Sequence, residues 1–255
     1  MTEFVDTHCH LFWEDFEDDL DAVFARARAE GVTRVVVPAT TLETMHQAEA
    51  IAREFADAWF TAGVHPHDAG ALPADYLATV ERAALHEKAV AIGEIGLDYH
   101  YDFCTPDVQQ RVLGEQLALA LRLSLPVVIH NREADDDIID ICRSFQRGAL
   151  AGQFHCFSSD ADVARRVLDL GFHISFTGNV TFKKVDLDEV IRLVPDDRLL
   201  LETDAPFMTP VPFRGKRNEP MHIPRIAAYI AGVRGCSVEH LAAVTTANAR
   251  RLFRL

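Results

Sequence analysis

Eight short apolar, β-rich runs recur along the chain with helical stretches between them. This alternation is the signature of βαβ units around a parallel sheet, and it constrains the fold more than any other feature. The runs lie at Phe4 to Thr7, Arg34 to Val37, Trp59 to Gly63, Val90 to Gly93, Val127 to Ile129, Leu150 to His155, Phe172 to Phe176 and Leu199 to Glu202. Between them apolar residues repeat at i, i+3, i+4 and i+7, as at Leu20, Val23, Phe24 and Ala27 and again at Ile223, Ile226, Ala227 and Ile230. Gly31 and Gly171 read as helix stops, where left-handed backbone is needed just before a strand. A last helix, Ser237 to Phe253, begins at an N-cap serine and ends among Arg250, Arg251 and Arg254, cations suited to its negative end. Eight such repeats in 255 residues predict one domain, residues 1–255, folded as a (β/α)8 TIM barrel with an additional C-terminal helix. A doubly wound open sheet is the structural alternative.

Composition sets the class and the setting. At 49% apolar and 25% charged, without a Ser/Gly/Pro linker, the chain is an ordinary globular protein. No basic stretch followed by an apolar run opens it, and no run of about 18 apolar residues occurs, so neither secretion nor a membrane span is expected and the cytoplasm is the default compartment. Five cysteines (Cys9, Cys104, Cys142, Cys156 and Cys236), an odd set without a CxxC pair, suit reduced thiols. With 25 Lys and Arg against 39 Asp and Glu, the net charge is −14. Such a surface repels polyanions at long range. It argues against a stable nucleic-acid-binding scaffold but not against an enzyme whose metal ions supply local positive charge. No stable protein partner is expected.

In a barrel, functional side chains cluster at the C-terminal ends of the strands. Here Asp6, His8 and His10 are spaced by two at the end of the first run, so a strand period puts them on one face and turns Cys9 toward the helices. Glu94 ends the fourth run, His130 the fifth and His155 the sixth, and Asp204 lies just beyond the eighth. A single strand histidine is ordinarily a packed residue, but four on one rim beside two carboxylates invert that expectation. Buried together, these groups lose hydration, and divalent cations satisfy all of them at once.

Nitrogen and oxygen ligands without thiolate suit Zn, Mn, Fe, Co or Ni, and Mg where waters complete its shell. Six ligands exceed one tetrahedral site. The expectation is a two-metal centre, with His8, His10 and Asp204 on one ion, His130 and His155 on the other, and Glu94 bridging. A metal-activated water is the expected nucleophile, with Asp204 as its proton acceptor, so the chemistry points to hydrolysis.

The blocks Asp6-Thr7-His8-Cys9-His10-Leu11, Gly63-Val64-His65-Pro66-His67, Gly93-Glu94-Ile95-Gly96-Leu97-Asp98-Tyr99, Pro126-Val127-Val128-Ile129-His130, His155-Cys156-Phe157-Ser158 and Glu202-Thr203-Asp204-Ala205-Pro206, followed by Arg214-Gly215 and Asn218-Glu219-Pro220, together resemble the TatD family of metal-dependent deoxyribonucleases. The resemblance runs nearly end to end. It implies a TIM barrel of the amidohydrolase superfamily, divalent metals at His8, His10, Glu94, His130, His155 and Asp204, and 3′ to 5′ exonuclease activity on DNA. Where the family often reads His-Cys-Phe-Ser-Gly, this chain has Ser159 and then Asp160.

Other residues are candidates of a second tier. Glu202 shares a face with Asp204 and is expected to hold a ligand histidine from behind. His65, Arg132, Arg214 and Lys183, with Lys184, Lys216 and Arg217 near them, occupy the rim where phosphates would bind. His67 follows Pro66 in a stiff turn, Asp98 and Tyr99 shape the pocket wall, and Cys9 and Cys156 pack into the helix layer. The rivals to a nuclease are an amide, lactone or ester hydrolase on the same centre and a non-catalytic metal-dependent binding protein.

Overall fold

The computed structural model describes residues 2–146 and 150–255. Eight strands form one sheet: β1 (Phe4–Asp6), β2 (Val32–Val37), β3 (Ala58–Ala62), β4 (Ala89–Asp98), β5 (Val127–Arg132), β6 (Gly152–Phe154), β7 (His173–Phe176) and β8 (Leu199–Leu201). They lie in chain order, every neighbouring pair parallel. The Thr7 amide, just past β1, donates to the Leu201 carbonyl of β8 at 3.1 Å, and the Asp204 amide donates to the His8 carbonyl at 2.9 Å, which brings the last strand against the first. The result is the (β/α)8 barrel that the alternation predicts.

The helices are α1 (Leu20–Ala29), α2 (Leu42–Glu54), α3 (Tyr76–Ala84), α4 (Pro106–Leu123), α5 (Asp135–Phe145), α6 (Ala161–Asp169), α7 (Asp188–Leu193), α8 (Ile223–Arg234) and α9 (Val238–Phe253). Each buries the face its periodicity marks: α1 buries Val23, Phe24 and Ala27, and α8 buries Ile223, Ile226, Ala227 and Ile230. Gly31 and Gly171 take φ of +85° and +84°, the left-handed stops that a side chain would disfavour. The Ser237 hydroxyl accepts from the His240 amide at 3.1 Å and caps α9.

That last helix closes the bottom of the barrel. Ala249, Leu252 and Phe253 pack against Val5, Val36, Val90, Val128 and Leu200 from five strands. Burying such side chains stabilises by roughly 1.5–3 kcal/mol each, so the floor is a dry plug. Above it the interior turns polar, with Thr7, Gln153, Ser175 and Glu202 all buried. Functional groups are thereby confined to the opposite, open end.

Three strands depart from their sequence expectation in ways that shape the rim. β4 and β5 run on to Asp98 and Arg132, well beyond their apolar cores, because Gly96 lets the two backbones approach closely. A Cβ at Gly96 would stand 1.9 Å from the His130 carbonyl oxygen. β1 ends at Asp6, three residues long, yet the Thr7 amide bonds back to β8 and the Cys9 amide to Val36 of β2. This alternation preserves the strand parity through His8 and His10.

Candidate metal centre

Glu94, at the C-terminal part of β4, faces two groups of imidazoles with its two oxygens. Oε2 lies 3.3 Å from His8 Nε2 and 3.7 Å from His10 Nε2. Asp204 Oδ1 completes this group at 3.6 Å from His8 and 3.2 Å from His10, whose Nε2 atoms are themselves 3.1 Å apart. Oε1 faces His155 Nε2 at 2.8 Å, His130 Nδ1 at 3.0 Å and His65 Nε2 at 3.4 Å. His130 Nδ1 and His155 Nε2 stand 3.3 Å apart. Apart from half-buried His130, every one of these residues is buried.

Those spacings test whether a cation suits the donors. A tetrahedron of metal–ligand bonds about 2.1 Å long has edges of about 3.4 Å, and the first group spans 3.1 to 3.7 Å. Imidazole nitrogens turned toward each other, as in His8–His10 and His130–His155, compete for one proton unless a cation takes its place, and the carboxylate oxygens beside them suit the same cation. The donor set fits divalent metal.

Charge within the cluster follows from burial and proximity. Burial pushes the Glu94 carboxyl up, but the imidazoles of His155, His65 and His130 outweigh it and hold the carboxyl well below its ordinary range. Burial lowers His155, and Glu94 and Glu202 overcome this to raise it well above the usual imidazole value. For His65 the raising effect of Glu94 falls short. Burial and the neighbouring His130 lower it to about 4, so it is neutral at pH 7.

Behind the donors stand carboxylates that orient them. Asp98, read from the sequence as pocket wall, is buried, with Oδ2 3.1 Å from His130 Nε2 and 2.9 Å from His67 Nε2. It thereby turns His130 Nδ1 toward Glu94. The signal for it was its place at the end of β4, on the same strand as Glu94. Glu202, wholly buried, accepts from Ser175 Oγ at 2.6 Å and the Cys156 amide at 2.5 Å, and its Oε1 stands 3.5 Å behind His155 Nδ1. Asp6 turns from the cluster to accept from Thr203 Oγ1 at 2.5 Å and from the Thr203 and His8 amides, which ties the end of β1 to the loop after β8.

Backbone devices aim two of these groups. Asp204 itself has φ of +55°, and Cys156, next to His155, has φ of +44°; both are unusual for residues with a Cβ and are characteristic of sites held by their surroundings. The Cys156 thiol meets Thr177 Oγ1 at 3.6 Å, so the expectation that it packs into the helix layer is corrected; Cys9, wholly buried against the Val36 carbonyl, does pack there. Ser159 takes no positive φ: its hydroxyl donates to Asp135 Oδ1 at 2.7 Å, while Asp160 caps α6 by accepting from Asp162 and Val163. The loop therefore does without the glycine common at that position.

A cavity of about 330 Å³ opens over the cluster, lined by His10, His65, Glu94, His130, His155 and Asp204 and walled by Arg132, Tyr101, Trp13 and Phe207. Arg132 lies 4.9 Å over the Tyr101 ring. Arg214 is exposed outside the cavity lining, with its guanidinium 3.8 Å over Phe182, and Lys183, Lys184 and Lys216 are likewise exposed and outside it. Arg217 is no phosphate ligand in waiting: it pairs with Asp19 and Glu219, at 2.8 and 2.7 Å, and stacks over Phe16.

A parallel eight-stranded barrel with a buried histidine–carboxylate cluster at its strand ends defines a metal-centred barrel hydrolase. The family model described as TatD related DNase matches residues 5–254. The chain belongs to that family. It is 44% identical over 251 residues to an uncharacterized metal-dependent hydrolase, YabD, of Bacillus subtilis, covering 98% of each chain. It is 40% identical over 257 residues to the 3′-5′ ssDNA/RNA exonuclease TatD of Erwinia tasmaniensis, covering 98% of this chain and 99% of the relative. The crystal structure of YJJV, a TatD homolog from Escherichia coli, superposes with a TM-score of 0.94 at 32% identity, covering 100% of this chain and 99% of the other.

Proposed function

We propose that the chain, acting as a single hydrolase barrel over residues 1–255, is a 3′ to 5′ exonuclease on single-stranded DNA ends with two divalent ions, Mg, Mn or Zn, at its centre. The observation that carries this reading is Glu94, whose two oxygens serve two separate imidazole groups. His8, His10 and Asp204 would hold one ion and His130 and His155 the other, with Glu94 offering an oxygen to each group. When bound, such ions polarise the phosphoryl oxygen and bring a water within reach of deprotonation near pH 7. Asp204 spends Oδ1 on His8 and His10, and its second oxygen accepts the proton of the attacking water. Neutral His65, on the cavity wall, orients a phosphate oxygen by hydrogen bonding, and Arg132 neutralises its charge. Asp98 and Glu202 keep the His130 and His155 rings from rotating. Relatives named as ssDNA/RNA exonucleases favour a phosphodiester over a neutral carbonyl substrate. No helix among the described residues is long and apolar enough to cross a membrane; five thiols without a CxxC pair favour the reducing cytoplasm.

The test is purified protein with Mg, Mn or Zn and strands labelled at the 5′ end, products resolved by length. Stepwise shortening from the 3′ end is expected. Turnover of neutral amides or esters alone would give the centre to carbonyl chemistry.

A further inference from the structure

Four exposed aromatic rings gather at the mouth of the cavity: Trp13, Tyr101 and Phe207 line it from two sides, and Phe103 stands just outside the lining beside Tyr101. On one side Trp13, after β1, meets Phe207, after β8, edge to face with centroids 5.5 Å apart. On the other, Tyr101 and Phe103 follow β4 with centroids 5.4 Å apart and planes inclined by 31°. Arg132 covers Tyr101, and His67 lies 4.8 Å from Phe103. These four rings are 41% to 65% exposed, while only Phe213 and Tyr229 are comparably exposed elsewhere among the described residues. Single exposed rings are unremarkable, but their concentration at one mouth marks a binding surface.

Charge says what that surface takes. The protein carries a net charge of −14, and among the described residues Arg132 is the one Arg or Lys that lines the cavity. One lining cation cannot hold a run of phosphates, so within the cavity the bases are the remaining source of affinity for a strand. Aromatic rings stack on the face of any base, and in a duplex those faces are already covered by their neighbours. The cavity, about 330 Å³, stands at the small end of ligand pockets, about 300–1,000 Å³, and suits a strand terminus entering end-on.

We infer that the Trp13–Phe207 and Tyr101–Phe103 pairs are base-stacking platforms that grip the unpaired nucleotides beside the scissile phosphate, so that the enzyme selects single strands by their free base faces and with little regard to base identity. This rests on the nuclease reading for its substrate but makes a separate claim about binding. The probe is a short phosphorothioate single strand, which resists hydrolysis, added to manganese-loaded protein carrying Trp59→Phe. Of the two tryptophans only Trp13 then remains.

The expected result is quenching of Trp13 emission by the single strand, and none by the same strand made abasic or by a blunt duplex. In strand anisotropy with the native Trp59 retained, Trp13→Ala, Phe207→Ala and Tyr101→Ala each weaken single-strand binding by between about 5-fold and about 150-fold. Binding of the abasic strand stays unchanged, and Trp13→Phe recovers most of the loss. Unquenched emission, or equal weakening on abasic and base-bearing strands, overturns the inference. Should the wild type shorten DNA while the ring variants bind as it does, the platforms fall and the nuclease stands. Should bases quench Trp13 while no phosphodiester is cleaved, the nuclease falls and the platforms stand.

Discussion

Asp98 Oδ2 lies 3.1 Å from His130 Nε2, and the opposite ring nitrogen, Nδ1, lies 3.0 Å from Glu94 Oε1. One imidazole is thus stretched between two carboxylates of the same strand, which fixes both its rotamer and the nitrogen it offers to the cluster. Partners of this kind tune metal affinity by about 10- to 100-fold. Asp98→Ala is accordingly expected to weaken metal binding by that factor while the protein stays folded. Metal titration by calorimetry checks it.

Glu94→Gln keeps volume and removes the charge shared by both groups. Loss of at least one ion is expected, and turnover falls by orders of magnitude. Cys9→Ser, flanked by His8 and His10 but turned into the helix layer beside Val36, leaves metal content nearly unchanged. Metal analysis of the two purified variants separates them.

Chelation is expected to lower thermal stability, because the ion binds the folded centre and not the unfolded chain. At metal a hundredfold above its dissociation constant the lost stabilisation is about 2.7 kcal/mol, or roughly 5–10 °C for a chain of this size. Calorimetric scans before and after chelator and dialysis measure it, and metal added back restores the original midpoint.

Far from the centre, His173 at the start of β7 accounts for part of the acid sensitivity. Burial, with Arg198 and Arg251 nearby, lowers its pKa to about 4. An unfolded imidazole titrates near 6.5. Between those values the unfolded chain binds the proton that the folded one refuses, so stability is fully present above about pH 6.5 and is lost as the pH falls toward 4. The shift corresponds to about 3 kcal/mol. His173→Gln is expected to flatten that limb of the stability–pH curve, measured by urea unfolding at each pH.

Arg132 lines the cavity and Arg214 does not. Arg132→Ala is expected to raise KM for an oligonucleotide more than Arg214→Ala, and to leave kcat less affected than KM. The wild-type salt dependence is expected to be shallow, since few phosphates meet a cation. Steady-state kinetics over a salt series decide both points.

The order of strands and helices was legible in the sequence because each element is specified by local spacing: two for a strand, three and four for a helix, with Gly31, Gly171 and Ser237 marking the ends. That His8, His10, Glu94, His130, His155 and Asp204 gather on one rim was legible for the same reason, since a residue at the end of a parallel barrel strand has only one rim to reach. What the sequence could not give is any relation between residues distant along the chain. That Asp98 bridges His67 and His130, that Glu202 gathers Ser175 and Cys156, and that Arg217 is consumed by Asp19 and Glu219 depend on closure of the sheet. So does the meeting of Trp13 with Phe207, nearly two hundred residues apart. Local periodicity says which face a side chain leaves from, whereas hydrogen-bond partners and stacking are set within about 3 to 6 Å, a distance that only the packed barrel determines.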